Sequence, residues 1–133
     1  MTEPRISTDK FSKLLYKDLT EKIIKAAYKV HNILGTGYLE VIYQNATLIE
    51  LKNQALNCDT EKLVEIFYQN QKIGEHRLDL VVENKVILEL KSVNEFHPFH
   101  QAQVISYLKA TGMKVALLIN FGKDKIEYKR YVL

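Results

Sequence analysis

Residues 77–91 read RLDLVVENKVILELK, and the fold turns on how this stretch pairs with itself. Two runs rich in β-branched and aliphatic residues, RLDLVV and VILELK, flank Glu83-Asn84-Lys85, the composition of two strands joined by a tight turn. Side chains alternate along a strand, so Glu89 and Lys91 share one face while Leu88 and Leu90 point the opposite way into a core. With a three-residue loop at 83–85, Val82 faces Val86 and the same register sets Asp79 opposite Glu89. A two-residue loop would turn Asp79 to the wrong face, because a slip of one residue inverts every side chain. The register is therefore a sharp expectation.

Working outward, LVEIFY at 63–68 and IGEHRLDLVV at 73–82 extend the pattern to three consecutive strands, an antiparallel meander with a turn at Asn70-Gln71. Upstream, Ile23, Ala26, Ala27, Val30, Ile33 and Leu34 recur at helical spacing from Thr20 to Leu34. Gly35-Thr36-Gly37 supplies a helix stop, and a second helix follows with Leu39, Ile42, Tyr43, Ala46 and Ile49 as its expected buried stripe. Downstream, Pro98 suits the first turn of a third helix ending at Gly112, KVALLIN at 114–120 reads as a buried strand, and a last strand runs near Ile126–Val132. The order α-α-β-β-β-α-β-β puts helices against a mixed sheet in one α/β domain.

Composition agrees with one folded unit. The chain has 133 residues, of which 47% are hydrophobic and 26% charged, enough apolar material for one core and too little length for two full domains. Residues 1–18 form a polar N-terminal extension to a single domain over 19–133. Cys58 is the only cysteine, which excludes an intramolecular disulfide and a cysteine zinc cluster and fits a reducing cytoplasm. No stretch approaches the roughly 18–20 apolar residues of a membrane span, and MTEPRISTDK lacks the apolar centre of a signal peptide. A cytoplasmic protein without membrane contact is expected. The net charge of +3 permits a polyanionic partner without requiring one.

The chemistry rests on Asp79, Glu89 and Lys91, three charges inside strands that otherwise read as buried. Buried charges are costly unless paired or metal-bound. Two carboxylates meeting across adjacent strands repel, and one pKa rises unless a cation sits between them; hard oxygen ligands suit Mg²⁺ or Mn²⁺. Lys91, on the face of Glu89, can orient an attacking water and stabilise charge growing on a phosphate.

The combination of Asp79, a nine-residue gap and Glu89-Leu90-Lys91 resembles the signature of the PD-(D/E)xK, or restriction-endonuclease-like, nuclease superfamily. GYLEVIY at 37–43 resembles the motif that names its GxxExxY branch, and Leu78 stands where the superfamily's name has proline. The resemblance spans roughly Thr20 to the C-terminus. It implies a metal-dependent nuclease cutting phosphodiester bonds, of DNA rather than RNA. Asp79, Glu89 and the Leu90 carbonyl would bind the metal, Glu40 would complete the site, and Lys91 would serve the attacking water. Gln103-Val104-Ile105-Ser106-Tyr107 resembles the QxxxY motif of several branches, which implies that Gln103 and Tyr107 border the metal pocket or touch substrate phosphates. Nuclease-like folds often pair two copies to cut a duplex, so a homodimer or larger complex stays open, although no interface is legible.

Plainer readings stand beside these. Glu89 and Lys91 could face water on an edge strand; Asp79 could pair with Arg77 or His76; Glu40 could only complement a helix dipole. Gln103 could be an ordinary polar helix residue and Tyr107 a core aromatic. His97 and His100 lack further ligands at zinc spacing and read as rim residues. The rival function is a catalytically silent nuclease-fold module that binds nucleic acid or a protein partner. A weaker third is an enzyme acting on a small phosphorylated molecule.

Overall fold

A computed structural model describes residues 15–133. The central feature is a five-stranded sheet in which β1 (Cys58–Tyr68), β2 (Gln71–Val82) and β3 (Val86–Lys91) form the antiparallel meander, β4 (Val115–Asn120) joins β3 in parallel, and β5 (Glu127–Val132) closes the edge antiparallel to β4. Helices α1 (Lys17–Leu34) and α2 (Glu40–Asn53) precede the strands, and α3 (Pro98–Thr111) makes the crossover between the parallel pair β3 and β4. The order is the one the sequence predicts. The first 14 residues of the expected extension lie outside the described residues, and α1 begins at Lys17.

Both faces of the sheet are covered. Leu80, Val82, Leu88 and Leu90 pack with Leu117 and Ile119 against Ile23, Ala27, Val30, Tyr43 and Leu51 of α1 and α2. Val81, Ile87, Ala116 and Leu118 pack on the other face against Val104, Tyr107 and Leu108 of α3. That double cover explains why β3 and β4 are almost uniformly apolar, as parallel strands between helices are.

The α2 stripe differs from its expectation. Tyr43, Gln44, Thr47 and Leu51 are the buried positions, while Leu39, Ile42 and Ile49 are exposed. The Tyr43 ring stacks on Phe121 at 4.6 Å, and its hydroxyl donates to the Gly35 carbonyl at 2.6 Å. Those two contacts set the rotation of α2, and the small apolar contrast between its faces cannot oppose them. Ile33 likewise ends on the exposed side of α1. The first turn also differs slightly, being made by Gln69 and Asn70, both at positive φ.

Past Lys91 the chain is fastened to the end of β4. Asn120, fully buried, accepts from Val93 N at 3.0 Å and Gly122 N at 2.9 Å and donates to the Val93 carbonyl at 2.9 Å. A Cβ at Gly122 would collide with the backbone N and O of Val93, neither of which can swing aside. Gly122→Ala is therefore expected to destabilise the protein by about 2–4 kcal/mol, read as a lowered thermal midpoint; an unchanged midpoint would mean that the two segments are loosely joined.

Candidate metal-binding and catalytic site

The loop at 83–85 has the three-residue form, with Lys85 N donating to the Val82 carbonyl and Glu83 and Asn84 both at positive φ. The pairs Val82↔Val86, Val81↔Ile87 and Leu80↔Leu88 follow, which is the register that places Asp79 against Glu89. There the ladder stops. Asp79 Oδ2 accepts from Leu90 N at 3.0 Å, so a side chain takes the hydrogen bond that the next backbone pair would have made.

The neighbouring ladder is irregular at the same level. The Glu61/Asp79 pair is missing between Thr60↔Leu80 and Lys62↔Leu78, and Glu61 has a φ of 54°. Leu78 and Val81 consequently pack in the same cluster, which strict alternation would forbid. Local breaks of this kind bend a strand and re-aim a side chain, and here the re-aimed residue is Asp79. Because the N–H and C=O of one residue point to the same strand edge, the Leu90 carbonyl also opens toward the gap left by β2.

Glu89 is only 2% exposed, in the middle strand of the sheet, so the edge-strand reading does not apply. Burial, then a hydrogen bond donated to Asp79 and the charge of Asp79, push its carboxyl up to about 9, while Lys91 and a hydrogen bond from Tyr107 pull the other way. Glu89 thus retains its proton at neutral pH and points it at Asp79. The Tyr107 phenol is itself pushed up by burial and the Glu89 charge, so it remains a donor. Behind it the His76 ring meets Tyr107 edge-on at 4.7 Å and its Nε2 lies 3.3 Å from Ser106 Oγ. Arg77 pairs with Glu61 at 3.4 Å, so neither it nor His76 is engaged with Asp79.

Gln103 sits one turn before Tyr107, and its amide oxygen is buried with no hydrogen-bond partner. Glu40 is exposed in the first turn of α2. It is nonetheless near the site. The imidazole of His100 is held below its usual pKa first by burial and then by the charges of Lys91 and His97, while Glu40 opposes them. Among the described residues no three His, Cys, Asp or Glu side chains converge into a ready metal cage, and what Glu40 shares with Lys91 is its influence on His100.

The loop that presents Glu40 is held by contacts that sequence reading did not find. The Tyr43 hydroxyl ties Gly35 O and, at 3.4 Å, Tyr38 N, while Ser92 Oγ donates to the Tyr38 carbonyl at 3.3 Å. Gly37 supplies the turn with a φ of 102°. The glycine, acid and tyrosine of GYLEVIY therefore cooperate: Gly37 turns the chain, Tyr43 fastens the turn, and Glu40 is carried to the side of Lys91. Tyr43→Phe keeps the stack on Phe121 and loses the tie, an expected destabilisation of about 1–2 kcal/mol by denaturant unfolding; a change below a few tenths would contradict this role.

The donor set fits a divalent cation. The buried Glu89 carboxyl and the half-buried Asp79 carboxylate are hard oxygen donors, and a cation could take the place of the proton that Glu89 retains.

A family model described as the PD-(D/E)XK nuclease superfamily matches residues 17–131. No curated protein matches. Among solved structures, the crystal structure of SSO0001 is similar with a TM-score of 0.56 and 21% identity over 90% of this chain, a likeness of fold. The chain spans 60% of the length of that structure. Match and geometry agree, and the chain belongs to the PD-(D/E)XK nuclease superfamily.

Proposed function

We propose that this protein is a Mg²⁺- or Mn²⁺-dependent nuclease of the GxxExxY type that hydrolyses phosphodiester bonds of nucleic acid, DNA in preference to RNA. The observation that carries this reading is the pairing of half-buried Asp79 with buried Glu89, whose carboxyl is pushed up to about 9, beside Lys91. A structural ion pair would have opposite charges; two acids together call for a cation.

Asp79, Glu89 and the Leu90 carbonyl would hold the metal, with Glu40 completing the site from the rim. When bound, the ion would polarise the scissile phosphate and lower the pKa of a coordinated water. Lys91 orients the attacking water and stabilises the charge that develops on the phosphate. Tyr107 keeps the Glu89 carboxylate aimed by its hydrogen bond, and Gln103 offers its free amide oxygen to the site or the substrate. The domain carrying this activity is residues 19–133, with 1–18 as an extension, and the site is suited to a cytoplasmic protein acting alone, as a homodimer or within a larger complex. Among the described residues no helix is long and apolar enough to cross a membrane.

Calorimetry with Mn²⁺ on the wild type and on Asp79→Ala separates this reading from a silent nucleic-acid- or protein-binding module. Heat of binding that disappears in the variant supports the nuclease site; a wild type that takes up no metal favours the module.

A further inference from the structure

Glu89 belongs to a row that continues across the sheet beyond the acid pair. It is registered with Leu118 on β4, and Leu118 with Lys129 on β5. At about 4.8 Å per strand, Lys129 therefore lies roughly 10 Å from Glu89 on the face covered by α3. A cavity of about 150 Å³ opens at this end of the row, lined by Phe96, His97, Gln101, Leu118, Lys129 and Tyr131 among others.

Three features of the cavity point to an anion. Tyr131 is 5% exposed, and its buried hydroxyl has no hydrogen-bond partner. Such a group is normally satisfied, since leaving it unpaired costs stability. Burial pushes the phenol up, so it remains a proton donor. Lys129 supplies a positive charge, its ammonium 5.6 Å from the centroid of the Phe96 ring. Pro98 and Gln101 bring the first turn of α3, the positive end of its dipole, to the same space. No carboxylate is among the described lining residues. The volume is well below that of a typical organic-ligand pocket and suits a tetrahedral oxyanion.

We propose that this cavity is a phosphate-binding subsite that takes the oxyanion of a nucleic-acid backbone flanking the phosphate held at Asp79 and Glu89. The flanking role rests on the nuclease reading; oxyanion binding in the cavity does not. Lys129 attracts the phosphate, Tyr131 donates to one of its oxygens, and the substrate strand is aligned across β3, β4 and β5. Contacts of this type fix position without reading sequence.

The test is a nuclear magnetic resonance titration of the full chain in EDTA, which prevents turnover. Inorganic phosphate is added first, and then a short single-stranded DNA, to the wild type, Tyr131→Phe, Lys129→Met and Asp79→Ala. Phosphate is expected to shift the signals of Gln101, Leu118 and Tyr131 saturably, with affinity about tenfold weaker in Tyr131→Phe and also reduced in Lys129→Met. Binding should persist in Asp79→Ala, and the oligonucleotide should move the same signals and be displaced by phosphate. Unmoved cavity signals, or equal affinity in a folded Tyr131→Phe, would overturn the subsite. Phosphate binding without any response to the oligonucleotide would overturn the flanking role. A wild type that binds phosphate here yet cuts no nucleic acid with Mg²⁺ removes the nuclease reading alone.

Discussion

Lys91→Ala is expected to lower Mg²⁺-dependent cleavage by about 10²–10³-fold, the cost of removing a charge aimed at a developing oxyanion, while Mn²⁺ binds at least as tightly as in the wild type. The two readouts separate because Lys91 stands beside Glu89 and opposes the rise of its pKa without being a metal donor. Loss of the ammonium removes a repulsion on the cation and a stabiliser of the reacting phosphate at once. Lys91→Arg restores the charge but in a planar, forked group, so partial rescue is expected. If cleavage survived in Lys91→Ala, the attacking water would have to be positioned by another group, and the role given to this lysine would be wrong.

The second large effect is on stability. Glu89 is held near 9 in the folded, metal-free protein against 4.5 for an unperturbed glutamate. Below about 4.5 the carboxyl is protonated in both states. Between these values the unfolded chain has released a proton that the folded chain retains, so stability falls as pH rises, by up to about 1.4 kcal/mol per pH unit. The favourable contribution is thus complete below the unfolded pKa and lost as pH climbs through the folded one. Glu89→Gln keeps the shape and removes the titration. In EDTA at pH 8 the variant should exceed the wild type in stability by on the order of a few kcal/mol, with the difference shrinking toward pH 5. Adding Mg²⁺ should stabilise the wild type and leave the variant nearly unmoved. A wild-type stability that is flat from pH 5 to 9 in EDTA would show that the two acids are not forced together.

The acid pair was legible because its geometry follows from one count. A three-residue loop at 83–85 fixes the register, and the alternation of side chains does the rest. The pKa conflict between Asp79 and Glu89 followed from that pairing, and so did the burial of Leu88 and Leu90 on the other face. The departures lie where one side chain outweighs a pattern. In α2 the apolar residues are spread around the helix, so the stack of Tyr43 on Phe121 and its tie to Gly35 decide which side is buried. Periodicity does not contain that contact, since Phe121 is 78 residues further on. Asn120 was hidden for the opposite reason: it ends a run of five buried apolar residues and reads as a strand terminus, whereas it clamps the segment after Lys91. A polar residue that closes a fully apolar strand, followed two positions later by glycine, was the available signal. The bend at Asp79 was equally silent, because a positive φ at Glu61 is not written in residue type.

The decisive measurement is a cleavage assay of the wild-type chain with Mg²⁺ and with Mn²⁺ on single-stranded, duplex and branched DNA and on RNA, run beside Asp79→Ala. Metal-dependent phosphodiester hydrolysis, faster on DNA than on RNA and abolished by EDTA and by the substitution, is the expected result. Cleavage that persists in Asp79→Ala, or a wild type that binds metal at this pair and cuts none of these substrates, would contradict it.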